Sequence, residues 1–322
     1  MRRRFWHTFI KPSTLAFFSE GRRTPGYTLF DWLHGYVYAR WLYLYINIGA
    51  GEHRLTKVIV PLVRVFSWFF PPRATSILPP RSKQVPSANG SRPVTFADTY
   101  HGKVVPLEAA TQLVTIHQEI KITNLEKVIP YAKARNIILK NPRHILALEC
   151  PCRSSRQNPC LPLDVCLVIG DPFASFVEEH HPERARRITS QEAVDILRAE
   201  NQRGHVHHAF FKDAMLGRFY AICNCCACCC GAMQAHRRGT PMLASSGYLS
   251  RVDDDLCIAC GDCAESCQFG ALSIGELSVE VDEKTCMGCG VCVSKCAQGA
   301  LSLERETARG EPLEIQELIQ QI

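Results

Sequence analysis

The chain has 322 residues, 18 cysteines, 12 histidines and a net charge of +6, a length that suits two or three domains with cores of their own. So many thiols in a chain this large, opening on MRRRFWHTFIKPS with no signal-peptide apolar stretch, exclude a small disulfide-stapled scaffold. They predict a cytoplasmic, reducing setting and thiolates bound to metal.

Residues 1 to 73 stand apart in composition. They hold eleven Lys or Arg against Glu20, Asp31 and Glu52, a balance of +8 that leaves −2 for the rest, and they contain all four tryptophans, Trp6, Trp32, Trp41 and Trp68. Asp31, His34 and Arg40 interrupt the apolar stretch Phe30 to Gly51, and Pro61 and Arg64 interrupt Val58 to Pro72. Neither offers the ~20 clean apolar residues that a spanning helix needs. Rings flanked by arginine suit an interfacial anchor, so this segment is expected to dock on the inner face of a membrane or on a partner protein. Residues 74 to 93, rich in Pro, Ser and Gly, read as a linker.

From 94 to 245 the pattern predicts a mixed helix and strand domain. Leu107 to Ile120 and Asn124 to Lys140 have helical apolar spacing, with a break at Pro130. Thr189-Ser-Gln-Glu192 reads as a capping box opening a helix whose apolar face is Ala193, Ile196 and Leu197 and whose end is Gly204. VHHAFF and GRFYAIC around KDAMLG then read as a hairpin, and helix plus hairpin resembles a winged-helix corner.

Ten cysteines fall in this domain at two points: Cys150, Cys152, Cys160 and Cys166, then Cys223, Cys225, Cys226, Cys228, Cys229 and Cys230. Such density predicts that the fold brings the two points together around one or two further iron-sulfur clusters or zinc ions, since adjacent thiolates repel without a cation. Arg153 follows Cys152 and either donates to cluster sulfur or forms an ordinary salt bridge. His205, His207 and His208 read as hairpin surface or as a source of one ligand, His207 being the leading candidate.

Residues 246 to 305 contain a repeat. Cys257, Cys260, Cys263 and Cys267 recur as Cys286, Cys289, Cys292 and Cys296, and Ala271-Leu272 recurs as Ala300-Leu301, each shifted by 29 residues. The repeat predicts a pseudo-twofold unit, followed at 306 to 322 by a helical tail. A pair of zinc sites is the alternative chemistry for C-x2-C pairs, but zinc sites rarely use two interleaved four-cysteine runs.

Both copies read C-x2-C-x2-C-x3-C and so resemble bacterial two-cluster ferredoxins, in which the fourth cysteine of each run serves the other cluster. The resemblance implies one 4Fe-4S cluster on Cys257, Cys260, Cys263 and Cys296 and a second on Cys286, Cys289, Cys292 and Cys267. Gly261 and Gly290 would relieve the loops, and Ile258 and Met287 would shield the clusters. The proline usual after the fourth cysteine is here Gln268 or Ala297. CPCR followed by CNCCxCCC further resembles the middle region of ferredoxin-domain oxidoreductases of anaerobic bacteria and archaea, across about residues 94 to 305.

Together these features predict an α+β chain in which a central cysteine-rich helix and strand domain precedes a ferredoxin-like dicluster module. The function implied is electron transfer, as a carrier or the iron-sulfur subunit of an anaerobic oxidoreductase complex, with a redox protein as partner and no catalytic residues of its own. An iron-sulfur redox sensor built on the winged-helix-like region is the alternative. Nucleic acid is not expected as a partner, because the candidate helix holds Glu192, Asp195 and Glu200 against Arg198 and Arg203. No GxGxxG or Walker sequence points to a nucleotide or other small-molecule substrate.

Overall fold

A computed structural model of the chain describes residues 11–50, 53–54, 56, 96–123 and 125–320. Trp6, Trp68, the stretch Val58 to Pro72 and the linker at 74 to 93 lie outside the described residues. In chain order the elements are α1 (Pro12–Arg23), α2 (Leu29–Arg40), α3 (Leu42–Ala50), α4 (Phe96–Thr99), β1 (Tyr100–Val105), α5 (Leu107–Val114), β2 (Ile120–Ile122), β3 (Ile137–Glu149), α6 (Pro151–Ser154) and β4 (Asp164–Asp171). Then follow α7 (Phe173–His180), β5 (Ala185–Ile188), α8 (Ser190–Gln202), β6 (Val206–Lys212), β7 (Arg218–Cys225), α9 (Gly231–Arg237) and β8 (Leu243–Ala244). The C-terminal part contributes β9 (Tyr248–Val252), α10 (Asp262–Glu265), β10 (Leu272–Ile274), β11 (Val279–Val281), α11 (Val291–Lys295), β12 (Leu301–Arg305) and α12 (Ile315–Gln320).

The chain is a mixed helix and sheet protein. Its main sheet has eight strands in the order β2-β3-β4-β7-β6-β1-β8, with β5 also on β3, and every pairing is antiparallel except β1 with β8. Registers Leu148↔Cys166, Val168↔Ala221 and His208↔Cys223 align β3, β4, β7 and β6. The C-terminal ends of β3 and β7 therefore lie beside the N-terminal end of β4, and the central cysteines sit at those three strand ends.

Local signals are mostly obeyed. Thr189 caps α8 by accepting from the Glu192 amide at 3.1 Å, and Gly204 follows the helix with φ +83°. The reciprocal half of the capping box is missing because the Glu192 carboxylate turns to Arg186. β6 and β7 form the expected hairpin, but it lies in the middle of the sheet and all of β6 is buried. It is not an exposed wing, so the winged-helix likeness fails. The helical reading of Asn124 to Lys140 also fails. Ile137, Ile138 and Leu139 instead open β3 against Ile122, Lys121 and Ile120, because β-branched residues with an antiparallel partner gain more from the sheet than from an isolated turn. Ile120 itself belongs to β2, and the helix from Leu107 ends at Val114.

The described part of the 1 to 73 segment does not stand apart either. Phe17, only 1% exposed, sets its ring edge-on to Phe173 and Phe176 of α7, and Tyr38, Ala39 and Leu42 join the same core as the sheet. Glu20 takes Lys140 at 2.8 Å and Arg218 at 3.4 Å, while the Tyr27 hydroxyl donates to the Ala214 carbonyl at 2.6 Å. The aromatic residues that read as a docking surface are thus divided. Leu29, Phe30, Leu33, Val37 and Trp41 remain exposed.

The C-terminal unit has the pseudo-twofold form expected of its repeat, with β9 pairing β12 and β10 pairing β11. It is fastened to the central domain: Met287 and Val291 enter the main core, and Lys295 Nζ donates to the Gln202 carbonyl at 2.6 Å. The tail returns as well, burying Leu313 and Ile315 in that core through α12. Among the described residues no helix is long and apolar enough to cross a membrane.

Candidate metal centres

Two small cavities in the C-terminal unit are each lined by four cysteines. Cys257, Cys260, Cys263 and Cys296 line one, and Cys286, Cys289, Cys292 and Cys267 line the other. The turn after each cysteine run delivers its fourth thiol to the cavity of the opposite copy. Gly261 and Gly290 start α10 and α11 with φ +89° and +80°, the left-handed geometry that suits glycine at a tight loop exit. The Ala271 and Ala300 amides donate to Cys267 and Cys296 Sγ, both at 3.3 Å. Equivalent N–H donors to equivalent sulfurs fit thiolates that carry charge on a metal cluster.

The two cavities differ in exposure. Cys260 is exposed and Ile258 is 64% exposed, so Ile258 lines its cavity without sealing it. Cys286, Cys292 and Met287 are buried, and Met287 joins the core of the central domain. Gln268, in place of the usual proline, has a role of its own: its Oε1 accepts from the Ala227 amide at 2.8 Å, tying the ferredoxin-like unit to the central cysteine loop. Proline has no such side-chain acceptor.

The central cysteines do converge. Cys150 follows β3, Cys152 lies in α6, Cys166 stands near the start of β4, Cys223 and Cys225 end β7, and Cys230 caps α9; all six line one cavity, as do Cys226 and Cys229. Neighbouring thiols in this group influence one another's ionisation in the order Cys223, Cys166, Cys150, Cys152, Cys230, Cys225. Hydrogen bonds from Cys152 and Cys166 hold the Cys150 thiol well below its ordinary range, while those same contacts and burial push Cys152 and Cys166 up. Four of these six cysteines are buried, and as thiolates they would repel one another without a cation, so the group could hold metal. The remaining four, Cys160, Cys226, Cys228 and Cys229, draw their Sγ atoms within 4.8 Å of one another at the margin of the cavity.

Arg153 is 1% exposed and resolves its two readings in favour of the salt bridge. Its Nη2 donates to Glu200 Oε2 at 2.6 Å and to the Asn224 carbonyl at 3.0 Å, and Nη1 donates to the Pro162 carbonyl at 2.6 Å. Burial acts to lower its pKa, but the Glu200 contact outweighs it and the net direction is up. The guanidinium still lies near enough to Cys150 to favour its thiolate.

The hairpin histidines are buried, against the surface reading. His205 Nδ1 donates to Glu200 at 2.7 Å, and His207 Nδ1 donates to Asn224 Oδ1 across the β6–β7 pair. Neither His208 ring nitrogen has a hydrogen-bond partner among the described residues, and burial lowers its pKa to about 3. His208, not His207, occupies the junction: it is paired with Cys223, and its ring centroid lies 6.5 Å from that of Phe269, which lines the second ferredoxin-like cavity.

Other residues of the cavity wall escape a reading by motif. Tyr38 and Tyr220 share a hydroxyl contact at 2.9 Å, and the Lys212 ammonium, 1% exposed, lies 4.7 Å from the ring centroids of both Tyr38 and Tyr100. Rings replace water around this charge, and burial lowers its pKa to about 8. A lysine directly after Phe210 and Phe211 in the run VHHAFFK is the one sequence sign of such a cage.

Residues 256–310 match the 4Fe-4S dicluster domain family, which supports iron-sulfur clusters and electron transfer in this part of the chain. No curated protein matches the chain.

Proposed function

We propose that this protein conducts electrons between a redox partner and a further iron-sulfur cluster in its central cavity, as a carrier or as the iron-sulfur subunit of an oxidoreductase complex. Cys257, Cys260, Cys263 and Cys296 hold the entry cluster, Cys286, Cys289, Cys292 and Cys267 the second, and four thiols drawn from Cys150, Cys152, Cys166, Cys223, Cys225 and Cys230 the third. Such clusters supply one-electron chemistry. The chain's own residues bind them, exclude water from the inner two, and place Phe269 and His208 between the second and third.

That aromatic junction is the observation that carries the reading: Phe269 belongs to one thiol cavity, and His208 is paired with Cys223 of the other. The redox partner meets the exposed end, where Leu256, Ile258, Ile274 and Leu277 leave apolar surface in the same unit as Cys260. Full-length protein isolated without oxygen should carry about twelve irons as three cubanes. Cys296→Ala should remove the cluster shared with Cys257, Cys260 and Cys263. A total of about eight irons, unchanged by Cys150→Ala with Cys166→Ala, would confine the path to two clusters.

The same proposal includes contact with an anionic membrane through the exposed row Leu29, Phe30, Leu33 and Val37 of α2, in a segment whose charge is +8. Leu33→Glu with Val37→Glu should abolish co-flotation with phosphatidylserine vesicles. Equal flotation of variant and parent would place any lipid contact elsewhere.

A further inference from the structure

The four thiols at the cavity margin have a different geometry from every other cysteine group described. Cys160 and Cys228 Sγ are 3.2 Å apart, Cys228 and Cys229 Sγ 3.7 Å, and all four sulfurs including Cys226 lie within 4.8 Å of one another. Among the described residues no other set of three or more potential ligands closes to that span. The eight thiols of the 4Fe-4S dicluster domain therefore supply an internal ruler: sites shaped for four-iron clusters are set wider in this chain. So are the six thiols of the central cavity. A single tetrahedral ion with metal–sulfur bonds of about 2.3 Å brings its sulfurs to about 3.8 Å from one another, which matches the narrow set.

We propose that Cys160, Cys226, Cys228 and Cys229 bind one zinc ion at the edge of the cavity that Cys226 and Cys229 also line, distinct from any cluster on its other six cysteines. A tetrahedral set of four thiolates selects zinc or an iron-sulfur centre. The spacing matches a single ion and is tighter than in the other cysteine groups described, and a given donor set binds zinc more tightly than ferrous iron. On binding, the four thiols release four protons and the site takes a charge of −2. Arg156 stands beside it, its Nη2 donating to the Cys229 carbonyl at 3.1 Å and to Gln234 Oε1 at 3.0 Å.

The position of the site states its role. Cys160 comes from the loop between α6 and β4, and the other three from the loop after β7, so the ion joins the two loops that flank the paired strands β4 and β7. Ala227, enclosed between Cys226 and Cys228, makes the amide contact to Gln268 beside Cys267. Zinc here fixes the loop on which the ferredoxin-like unit docks, without itself taking up electrons.

The proposal does not depend on the electron-transfer reading, because zinc and iron are counted in the same sample. Full-length protein isolated without oxygen from zinc-supplemented cells should hold one zinc per chain. Cys160→Ala with Cys228→Ala should lower zinc from one to none and leave iron per chain unchanged. Loss of about four irons with no change in zinc would overturn the assignment and give these thiols to a cubane. Should that variant fail to fold, zinc-edge absorption on the parent protein decides: four sulfur neighbours at about 2.3 Å are expected. Nitrogen or oxygen in the zinc shell, or a parent protein without zinc, would refute it.

Discussion

Phe17→Ala asks whether the aromatic N-terminal helices are a detachable dock or part of the machinery that shapes the central cavity. The Phe17 ring is 1% exposed and packs edge-on against Phe173 at 6.1 Å and Phe176 at 5.9 Å between centroids. Truncating a buried phenylalanine costs about 3–5 kcal/mol through lost transfer energy and the cavity left behind. Two lost edge-to-face pairs, each about 0.5–1.5 kcal/mol, set the expectation toward the upper end of that range. Since 1 kcal/mol moves Tm by about 2–4 °C in a domain of roughly 200 residues, a cost of about 4–5 kcal/mol should lower the melting point by about 8–20 °C. The effect should reach any metal held by the central cysteines, because Phe173 lines their cavity and α2 and α3 contribute Tyr38, Ala39, Leu42 and Ile46 to its wall. Anaerobic calorimetry together with iron retention during mild dialysis reads both effects. The expected pattern is loss of central iron with the dicluster iron retained. A shift below about 2 °C with full iron retention would refute the reasoning and restore the helices to a free-standing dock.

Gly288→Ala should disrupt the second ferredoxin-like site, because a β-carbon there would lie 2.1 Å from the Tyr248 carbonyl and 2.4 Å from Ser246 Oγ at φ +63°. A cost of about 3 kcal/mol or more and loss of the cluster on Cys286, Cys289 and Cys292 are expected. Gly299→Ala, at φ +67° with nothing within 4 Å, should cost only about 1–2 kcal/mol and keep the iron, so equal damage from both changes would contradict the steric argument. Acid should destabilise the fold through His101, whose pKa burial lowers from 6.5 to about 4 while its Nδ1 donates to the Ala97 carbonyl at 2.7 Å. Between those values the unfolded chain binds the extra proton, so stability is present above pH 6.5 and falls as pH drops toward 4, by roughly 3 kcal/mol for this one group. Urea titrations at pH 7 and pH 4.5 should show a smaller acid loss in His101→Phe than in the parent; identical losses would assign the acid sensitivity to other groups.

How much of this was legible in the chain follows the range of the forces involved. The 29-residue repeat, the hairpin of β6 and β7 and the Thr189 cap rest on contacts a few residues apart or on spacings that the sequence carries directly. The eight C-terminal cysteines were visible for that reason, although their assortment into two sets came from resemblance. Convergence of the other ten was also legible as a matter of charge, since thiols at that density need a common cation.

What only the tertiary structure decided is how those ten divide and what surrounds them. Sequence treats Cys226 to Cys230 as one run, but alternation at the end of β7 and the return of the loop send Cys230 to the cavity and Cys228 to Cys160, across a separation of 68 residues. The choice between His207 and His208 is likewise a matter of strand facing. The pairing of β6 with β7 commits His207 to Asn224 and leaves His208 at the junction with Phe269. The helices at 12 to 50 combine Phe17 and Tyr38, which are buried, with Phe30 and Trp41, which are not, and composition cannot separate the two sets. Burial depends on which neighbours the sheet supplies, and strand order fixes those neighbours between segments far apart in the chain.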